Sequence, residues 1–376
     1  MKTYYQLEGT PNSPVLLLSN SLGADLSMWD QVVPFLLPYF QVLRYDTRGL
    51  GKSEVTDHPY AIEQLGHDVI DLLDKLGFGK VYFCGLSMGG QVGQWIGVHH
   101  ANRLHKLVLC NTAAHIGTAE GWNQRIEQIK AKGLSSIWDN TQKIWLRESF
   151  IRENPILVEQ WEQMFTRNDI LGYANCCAAV RDADFRADLE KIKTETLVLT
   201  GNEDPATTVA DAEFLQQHIP NAQITVLPAR HLPSLEQPAL LAETLINFLV
   251  GNSTFERGMH VRRTVLGDAH VERASESIND FNGDFQSFIS HYAWGEIWTR
   301  PGLPKHHRSL ITLAMMIALN RGNEFKMHVR AALNNGVTIT EIKEVILQSG
   351  VYCGLPAANE AYHLAQAVFK EEKVKF

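Results

Sequence analysis

Short apolar runs bounded by glycine, proline and polar residues dominate the first two thirds of the chain, and apolar residues at helical spacing dominate the last third. Val15–Leu18, Lys80–Cys84, Leu197–Thr200 and Ile224–Leu227 are too short for buried helices and read as strands of a sheet interleaved with helices, an α/β arrangement. Between the second and third of these runs, from about Ala113 to Lys191, the pattern changes. Ile126, Ile129 and Leu134, then Ile144, Phe150 and Ile151, recur at helical spacing among Trp122, Trp138, Trp145 and Trp161, which predicts a helical cap over the sheet. The strand pattern ends near Phe248–Val250, and Gly251–Thr254 is a short polar break, so one domain is expected over 1–250 and a second over 255–376. The second reads as all-α. Its expected core sets are Phe281, Phe285, Phe288 and Ile289, the run Leu310–Leu319, and Ile342, Val345, Ile346 and Val351. Leu310–Leu319 is apolar around its whole circumference, more than about 120 residues ordinarily enclose, so copies of this domain are expected to associate into a homo-oligomer.

Candidate chemistry begins at Gly85-Leu-Ser87-Met-Gly89, which follows a strand and precedes a helical stretch. Glycines on either side let the backbone make a sharp turn that presents the serine hydroxyl at the positive end of the next helix. Ser19-Asn-Ser-Leu22-Gly23 ends the first strand and is a candidate oxyanion loop, with the amides of Leu22 and Met88 as donors. Asp204 follows the strand Leu197–Thr200, with Glu203 as a rival beside it, and His231 follows the last strand. Serine needs a base to become a nucleophile; His231 is expected to take its proton while Asp204 orients the imidazole.

Composition narrows the setting. The 376 residues are 45% hydrophobic, enough for more than one core, and 34 Lys plus Arg against 42 Asp plus Glu give a net charge of −8, no footprint for nucleic acid. No apolar run approaches membrane-spanning length, and the amino terminus carries no export pattern, so no membrane association and a cytoplasmic address are expected. Cys84, Cys110, Cys176, Cys177 and Cys353 have neither zinc-ligand nor disulfide-framework spacing and read as reduced packing residues. Neither a metal nor a cofactor is expected.

The order Ser87, Asp204, His231 resembles that of the α/β-hydrolases, and residues 1 to about 250 are similar in detail to 3-oxoadipate enol-lactonases. Tyr45-Asp46-Thr-Arg48-Gly49-Leu-Gly51-Lys-Ser53 matches the turn such hydrolases carry after an early strand, where Asp46 is expected to brace the backbone. Serine at position 87 sets the chain apart from dehalogenases and epoxide hydrolases of this fold, which carry aspartate there. Any of Arg125, Arg147 or Arg181 in the cap could meet a substrate carboxylate.

Trp294-Gly-Glu-Ile-Trp298-Thr-Arg300-Pro-Gly-Leu, His307-Arg308-Ser-Leu, His328-Val-Arg-Ala-Ala-Leu-Asn-Asn-Gly336 and Tyr352-Cys-Gly-Leu-Pro356 resemble 4-carboxymuconolactone decarboxylases along nearly the whole second domain. Related thiol peroxidases place a Cys-x-x-Cys motif before a histidine, but Arg321 and Glu324 hold those positions before His328, which argues against disulfide chemistry. The resemblance implies decarboxylation with the lactone carbonyl as electron sink, His328 as proton donor, Glu324 as its support and Arg300 or Arg308 on a substrate carboxylate. The two resemblances together imply small-molecule lactone substrates: decarboxylation of 4-carboxymuconolactone to 3-oxoadipate enol-lactone, then hydrolysis to 3-oxoadipate. Two other classes stay open, a general carboxylesterase or perhydrolase with a carboxy-terminal oligomerisation domain, and a ligand-binding module that retains a hydrolase triad.

Overall fold

The computed structural model describes residues 2–374. Contacts divide them into two compact units. The first holds the initial residues through Leu7, Val15–Pro34 and Val42–Leu249; the second holds Glu8–Pro14, Phe35–Gln41 and the described residues from Val250 onward.

Seven strands form one sheet in the order β1-β3-β2-β4-β5-β6-β7, namely β1 Tyr5–Glu8, β2 Val15–Ser19, β3 Gln41–Tyr45, β4 Val81–Leu86, β5 Leu104–Cys110, β6 Thr196–Gly201 and β7 Ala222–Leu227. The pairs β2–β4, β4–β5, β5–β6 and β6–β7 are parallel. Every residue of β2 and β6 is buried, as expected of parallel strands covered on both faces, whereas Ile224 and Val226 of the edge strand β7 stay exposed. Register aligns Ser19 with Gly85, Leu86 with Cys110 and Gly201 with Leu227. The strands therefore end in a row, and the loops after β2, β4, β5, β6 and β7 emerge along one edge, where ligands of such sheets bind.

Helix α1 (Ile62–Leu76) packs on α2 (Met88–His99), which lies against β4 and β5. Between β5 and β6 the expected cap is present as α3 (Ala119–Lys132), α4 (Trp138–Trp145), α5 (Glu148–Glu153), α6 (Pro155–Thr166) and α7 (Ile170–Asp182). Its tryptophans make the cap's own core: Trp145 meets Trp138, Trp161 and Phe165 at ring-centroid distances of 6.0, 6.1 and 5.6 Å, and Phe165 meets Tyr173 at 5.5 Å. Helices α8 (Val209–His218) and α9 (Pro238–Leu249) complete the first unit.

From Val250 onward the regular elements of the second unit are all helices among the described residues. It comprises α10 (Thr254–Leu266), α11 (Asp268–Glu276), α12 (Gly283–Ile289), a π-helix over Ser290–Ile297, α13 (Lys305–Ala318), α14 (Gly322–Asn334), α15 (Ile339–Cys353) and α16 (Leu355–Glu371). Ser253 and Thr338 each form a reciprocal capping box, with Glu256 and Glu341 respectively, fixing where α10 and α15 begin. The core joins Leu313 and Ile317 of α13 to Phe325, Val329, Ile342, Ile346, Val368 and Phe369.

Two expectations about this unit need correction. Leu310–Leu319 is not buried all round: Leu313 and Ile317 are interior, but Ile311, Met315 and Leu319, at helical spacing on another face, are 43%, 54% and 65% exposed. Phe281, Phe285 and Phe288 are likewise 99%, 62% and 59% exposed, and Val351 lies outside the core. The physical reason is shared: periodicity shows that a helix has an apolar face, but a single chain here supplies cover for only some of those faces. Cys353 is also exposed, while the other four cysteines pack inside. Among the described residues, no helix is long and apolar enough to cross a membrane.

Candidate active site

Ser87 stands where β4 meets α2, with φ +58° and ψ −114°, a backbone conformation that costs a non-glycine residue about 1–3 kcal/mol. Hydrogen bonds hold it there from both sides. Its amide donates to the Cys110 carbonyl (2.9 Å), and its own carbonyl accepts from Thr112 Oγ1 (2.8 Å) and from the amides of Gly90 (2.8 Å) and Gln91 (3.1 Å). The flanking glycines are dictated by space: a Cβ on Gly85 would lie 2.0 Å from the Gly89 carbonyl oxygen, and one on Gly89 would lie 2.5 Å from that of Ser19. Strand, turn and helix thus close on one another with no room for a side chain.

Ser19–Gly23 is braced as tightly. Asn20 donates through Nδ2 to the Tyr45 carbonyl (2.8 Å), accepts from Trp29 Nε1 (2.9 Å), and takes the Gly89 amide on its backbone oxygen (3.0 Å). Gly23, at φ +84°, lies against the rings of Phe165 and Tyr173, and its carbonyl accepts from Asn168 Nδ2 (2.9 Å), so the cap is fastened to this loop. Leu22 lines the same cavity as Ser87, and Met88 is the first residue of α2, where an amide has no intrahelical acceptor.

Asp204 sits in the loop after β6 and is 5% exposed. Its Oδ2 accepts from His231 Nδ1 (2.8 Å), Asn111 Nδ2 (2.8 Å) and Thr207 Oγ1 (2.7 Å), and its Oδ1 from the amides of Ala206 (2.8 Å) and Thr207 (3.1 Å). Burial alone raises a carboxyl pKa, but the His231 charge and the hydrogen bonds from His231, Asn111 and Thr207 outweigh it and hold Asp204 well below the ordinary value. It is a carboxylate at neutral pH. With Nδ1 committed to Asp204, the ring presents Nε2 as its free nitrogen. The His231 loop is tied down by the buried Glu236, which accepts from the amides of Arg230 (2.7 Å) and Arg147 (2.6 Å).

Ser87 and His231 line one cavity of about 280 Å³ with Leu22, Trp122, Arg125, Thr141, Trp145 and Tyr173. No hydrogen bond joins their side chains among the described residues, and contacts of this kind often tighten only around substrate. A buried carboxylate, an imidazole it orients and a hydroxyl on the same cavity are the groups that base-assisted acyl transfer requires.

Asp46 has the bracing place expected of it, accepting the amides of Leu26 and Lys52 (both 2.8 Å), and Glu203 is exposed. Of the three cap arginines only Arg125 reaches the cavity; Arg147 pairs with Glu236 (3.3 Å) and Arg181 with Asp182 (2.7 Å). Sequence reasoning missed Asn111, Thr207 and Glu236, and left Trp122 and Trp145 unassigned. Asn111 had one legible signal, its place directly after a buried strand.

In the helical unit, His328 and Glu324 lie on α14, His328 half-buried and Glu324 exposed. Burial draws the His328 pKa down to about 4, with the Glu324 charge opposing and the His270 charge adding to the shift. Arg308 donates to the Arg300 carbonyl (3.1 Å), and among the described residues no hydrogen bond or ion pair joins either arginine to Glu324 or His328. A cavity of about 630 Å³ in this unit is lined instead by His270, Arg273, Lys326 and Arg330.

Known proteins match each half. The Alpha/beta hydrolase family model matches residues 15–244 and the Carboxymuconolactone decarboxylase family model residues 283–367. Over 234 residues the chain is 42% identical to 3-oxoadipate enol-lactonase 2 of Acinetobacter baylyi, covering 62% of this chain and 88% of that protein. Over a further 117 residues it is 56% identical to 4-carboxymuconolactone decarboxylase of the same organism, covering 31% of this chain and 87% of that protein. The crystal structure of the enol-lactonase from Burkholderia xenovorans superposes with a TM-score of 0.65 at 39% identity, over 66% of this chain and 96% of that one. Fold, site geometry and these likenesses agree: the chain belongs to the alpha/beta hydrolase family over residues 15–244 and to the carboxymuconolactone decarboxylase family over residues 283–367.

Proposed function

We propose that the chain carries out two consecutive reactions of 3-oxoadipate formation, decarboxylating 4-carboxymuconolactone in the helical unit and hydrolysing the resulting enol-lactone at Ser87. One observation carries this proposal: two relatives, named for reactions in which the product of one is the substrate of the other, match adjoining parts of a single chain. Asp204, His231 and Ser87 supply the groups the second reaction needs.

In the lactonase step Ser87 Oγ attacks the lactone carbonyl while its proton passes to His231 Nε2, and Asp204 stabilises the imidazolium. The amides of Leu22 and Met88 receive the oxyanion; losing one such donor typically costs about 3 kcal/mol of transition-state stabilisation. Collapse breaks the ring C–O bond. The departing enol oxygen takes the proton from His231 and tautomerises to the ketone, and water activated by His231 then releases the acyl group from Ser87.

In the decarboxylase step the C–C bond to the leaving carboxylate breaks, its electrons move into the conjugated lactone carbonyl, and the dienolate is protonated on carbon. His328 is the proposed donor, with Glu324 beside it and Arg300 or Arg308 engaging a carboxylate. With its pKa drawn to about 4, His328 is neutral in the free enzyme at pH 7 and gains its proton most readily when a dianionic substrate lies close by. Copies of the chain associate through the helical unit, where Phe281, Phe285 and Phe288, and separately Ile311, Met315 and Leu319 of α13, stay exposed.

Supplied with 4-carboxymuconolactone, the Ser87→Ala protein is expected to release CO₂ at the wild-type rate and accumulate enol-lactone; continued formation of 3-oxoadipate would refute the role of Ser87. Decarboxylation kcat/KM, which reports the free enzyme, is expected to fall as pH rises above about 4, while kcat holds to higher pH. His328→Gln is expected to lose about 100-fold or more of the rate along with that pH dependence, and a variant that keeps the full rate would remove His328 from the mechanism. Light scattering is expected to find an oligomer that Met315→Glu dissociates; a monomeric wild type would contradict the association.

A further inference from the structure

The two candidate oxyanion donors are held by different parts of the first unit. Met88 opens α2, and the Gly89 amide beside it is fixed to the Asn20 carbonyl (3.0 Å), so that donor belongs to the frame of sheet and helix. Leu22 lies beyond this frame. It is the second residue of a β-turn closed by the Ala24 amide on the Ser21 carbonyl (3.1 Å), and Gly23, the third, has the positive φ (+84°) that a type II turn requires there. The turn's own hydrogen bond leaves the second amide out, and the Leu22 amide has no acceptor among the described residues. What reaches the far corner of this turn comes from the cap: Asn168 Nδ2 donates to the Gly23 carbonyl (2.9 Å).

Asn168 is buried in the short link between α6 and α7, and its side chain is spent in three directions. Besides Gly23, Nδ2 donates to the Phe165 carbonyl in the last turn of α6 (3.0 Å), and Oδ1 accepts the Gly51 amide (3.0 Å) from the turn that Asp46 braces. One amide thus joins the cap to two loops of the sheet edge. Backbones close around it with no room for side chains: a Cβ on Gly23 would lie 2.6 Å from the Phe165 ring, and one on Gly172 of α7 would lie 2.1 Å from the Gly49 carbonyl oxygen. Phe165 in turn packs on Trp145 and Tyr173, which line the cavity of Ser87. The adjacent Arg167 also pairs with Asp25 (2.5 Å), but its side chain is 62% exposed, and ion pairs so placed hold little.

We propose that Asn168 is the positioning residue of the oxyanion hole: it sets the Leu22 amide against the carbonyl that Ser87 attacks, so that one donor is held by sheet and helix and the other by the cap. The inference rests on hydrolysis at Ser87 and goes beyond it, because it makes the cap part of transition-state stabilisation as well as a wall. Asn168 itself touches no reacting atom. Donors of this kind work only when held within about 0.5 Å of their productive positions, and the bond to Gly23 gives the Leu22 turn its second fixed end.

The loss expected on removing it is therefore in the transition state and not in binding. With 3-oxoadipate enol-lactone, Asn168→Ala is expected to lower kcat about tenfold to 100-fold, less than outright removal of a donor, and to leave KM within about threefold. Asn168→Asp, which keeps the acceptor for Gly51 and removes the donor to Gly23, is expected to show the same loss. A second readout separates positioning from a loosened fold. Replacing the lactone C=O by C=S puts the developing charge on sulfur, a weaker hydrogen-bond acceptor, so wild type is expected to open the thionolactone far more slowly. In both variants that oxo-over-thiono preference is expected to shrink by about the factor lost from kcat, while Arg167→Ala, which cuts the exposed pair alone, keeps kcat and preference. Equal slowing of the two lactones, complete loss included, a loss carried by KM, or an equal effect of Arg167→Ala would overturn the positioning role. Opening of the enol-lactone that ignores Asn168 would sink that role and spare the lactonase. No opening of the enol-lactone, joined to an Asn168-dependent oxo-over-thiono preference on 4-nitrophenyl acetate, would sink the lactonase and spare the positioning role.

Discussion

A serine held in a backbone conformation it would not choose is the constraint on which the hydrolase half depends. Ser87 can keep φ +58° because its amide is taken by Cys110 of β5 and its carbonyl is shared among Thr112, Gly90 and Gln91. These partners come from the neighbouring strand end, the loop after it and the following helix, so the sheet and α2 together meet the strain. Gly85 and Gly89 let those elements come close enough to do so. The same closure brings the Gly89 amide onto Asn20 and thereby fixes the loop that carries Leu22. Candidate nucleophile and candidate oxyanion donors are in this sense one object, set by the register of β2 against β4.

Electrostatics completes what the backbone begins. Asp204 is buried, yet it gathers hydrogen bonds from His231, Asn111, Thr207 and the amide of Ala206, so its charge is stabilised where solvent cannot reach. That leaves His231 with Nδ1 committed to Asp204 and Nε2 without a hydrogen bond among the described residues. Arg125 presents the opposite case, a cation whose hydrogen-bond partners among the described residues, Tyr173 and Thr141, are neutral.

What the sequence revealed and what it concealed divide along a physical line. Ser87, Asp204 and His231 were legible because each follows a strand, and strand ends in a parallel sheet converge by topology; the cap was legible from the change of period after Ala113. Arg125 was indistinguishable from Arg147 and Arg181, since whether an arginine is spent depends on which carboxylate lies across from it in space. Asn111 and Glu236 carry no motif, because they act on loops distant along the chain. The exposed phenylalanines at 281, 285 and 288 mark a further boundary. Spacing exposes an apolar face, but what covers it depends on partners the chain does not encode locally.

The helical unit is organised differently, around the core from Leu313 to Phe369 rather than a strained turn, and its candidate acid is a histidine kept neutral by burial. On the proposed mechanism covalent chemistry is confined to the first unit, at the Ser87 hydroxyl. Reaction of the full-length protein with a fluorophosphonate, followed by peptide mass spectrometry, tests that claim most directly. The account predicts one adduct, on Ser87, that His231→Ala suppresses and that leaves CO₂ release intact; a protein that stays unlabelled, or labels elsewhere with equal speed, would contradict it.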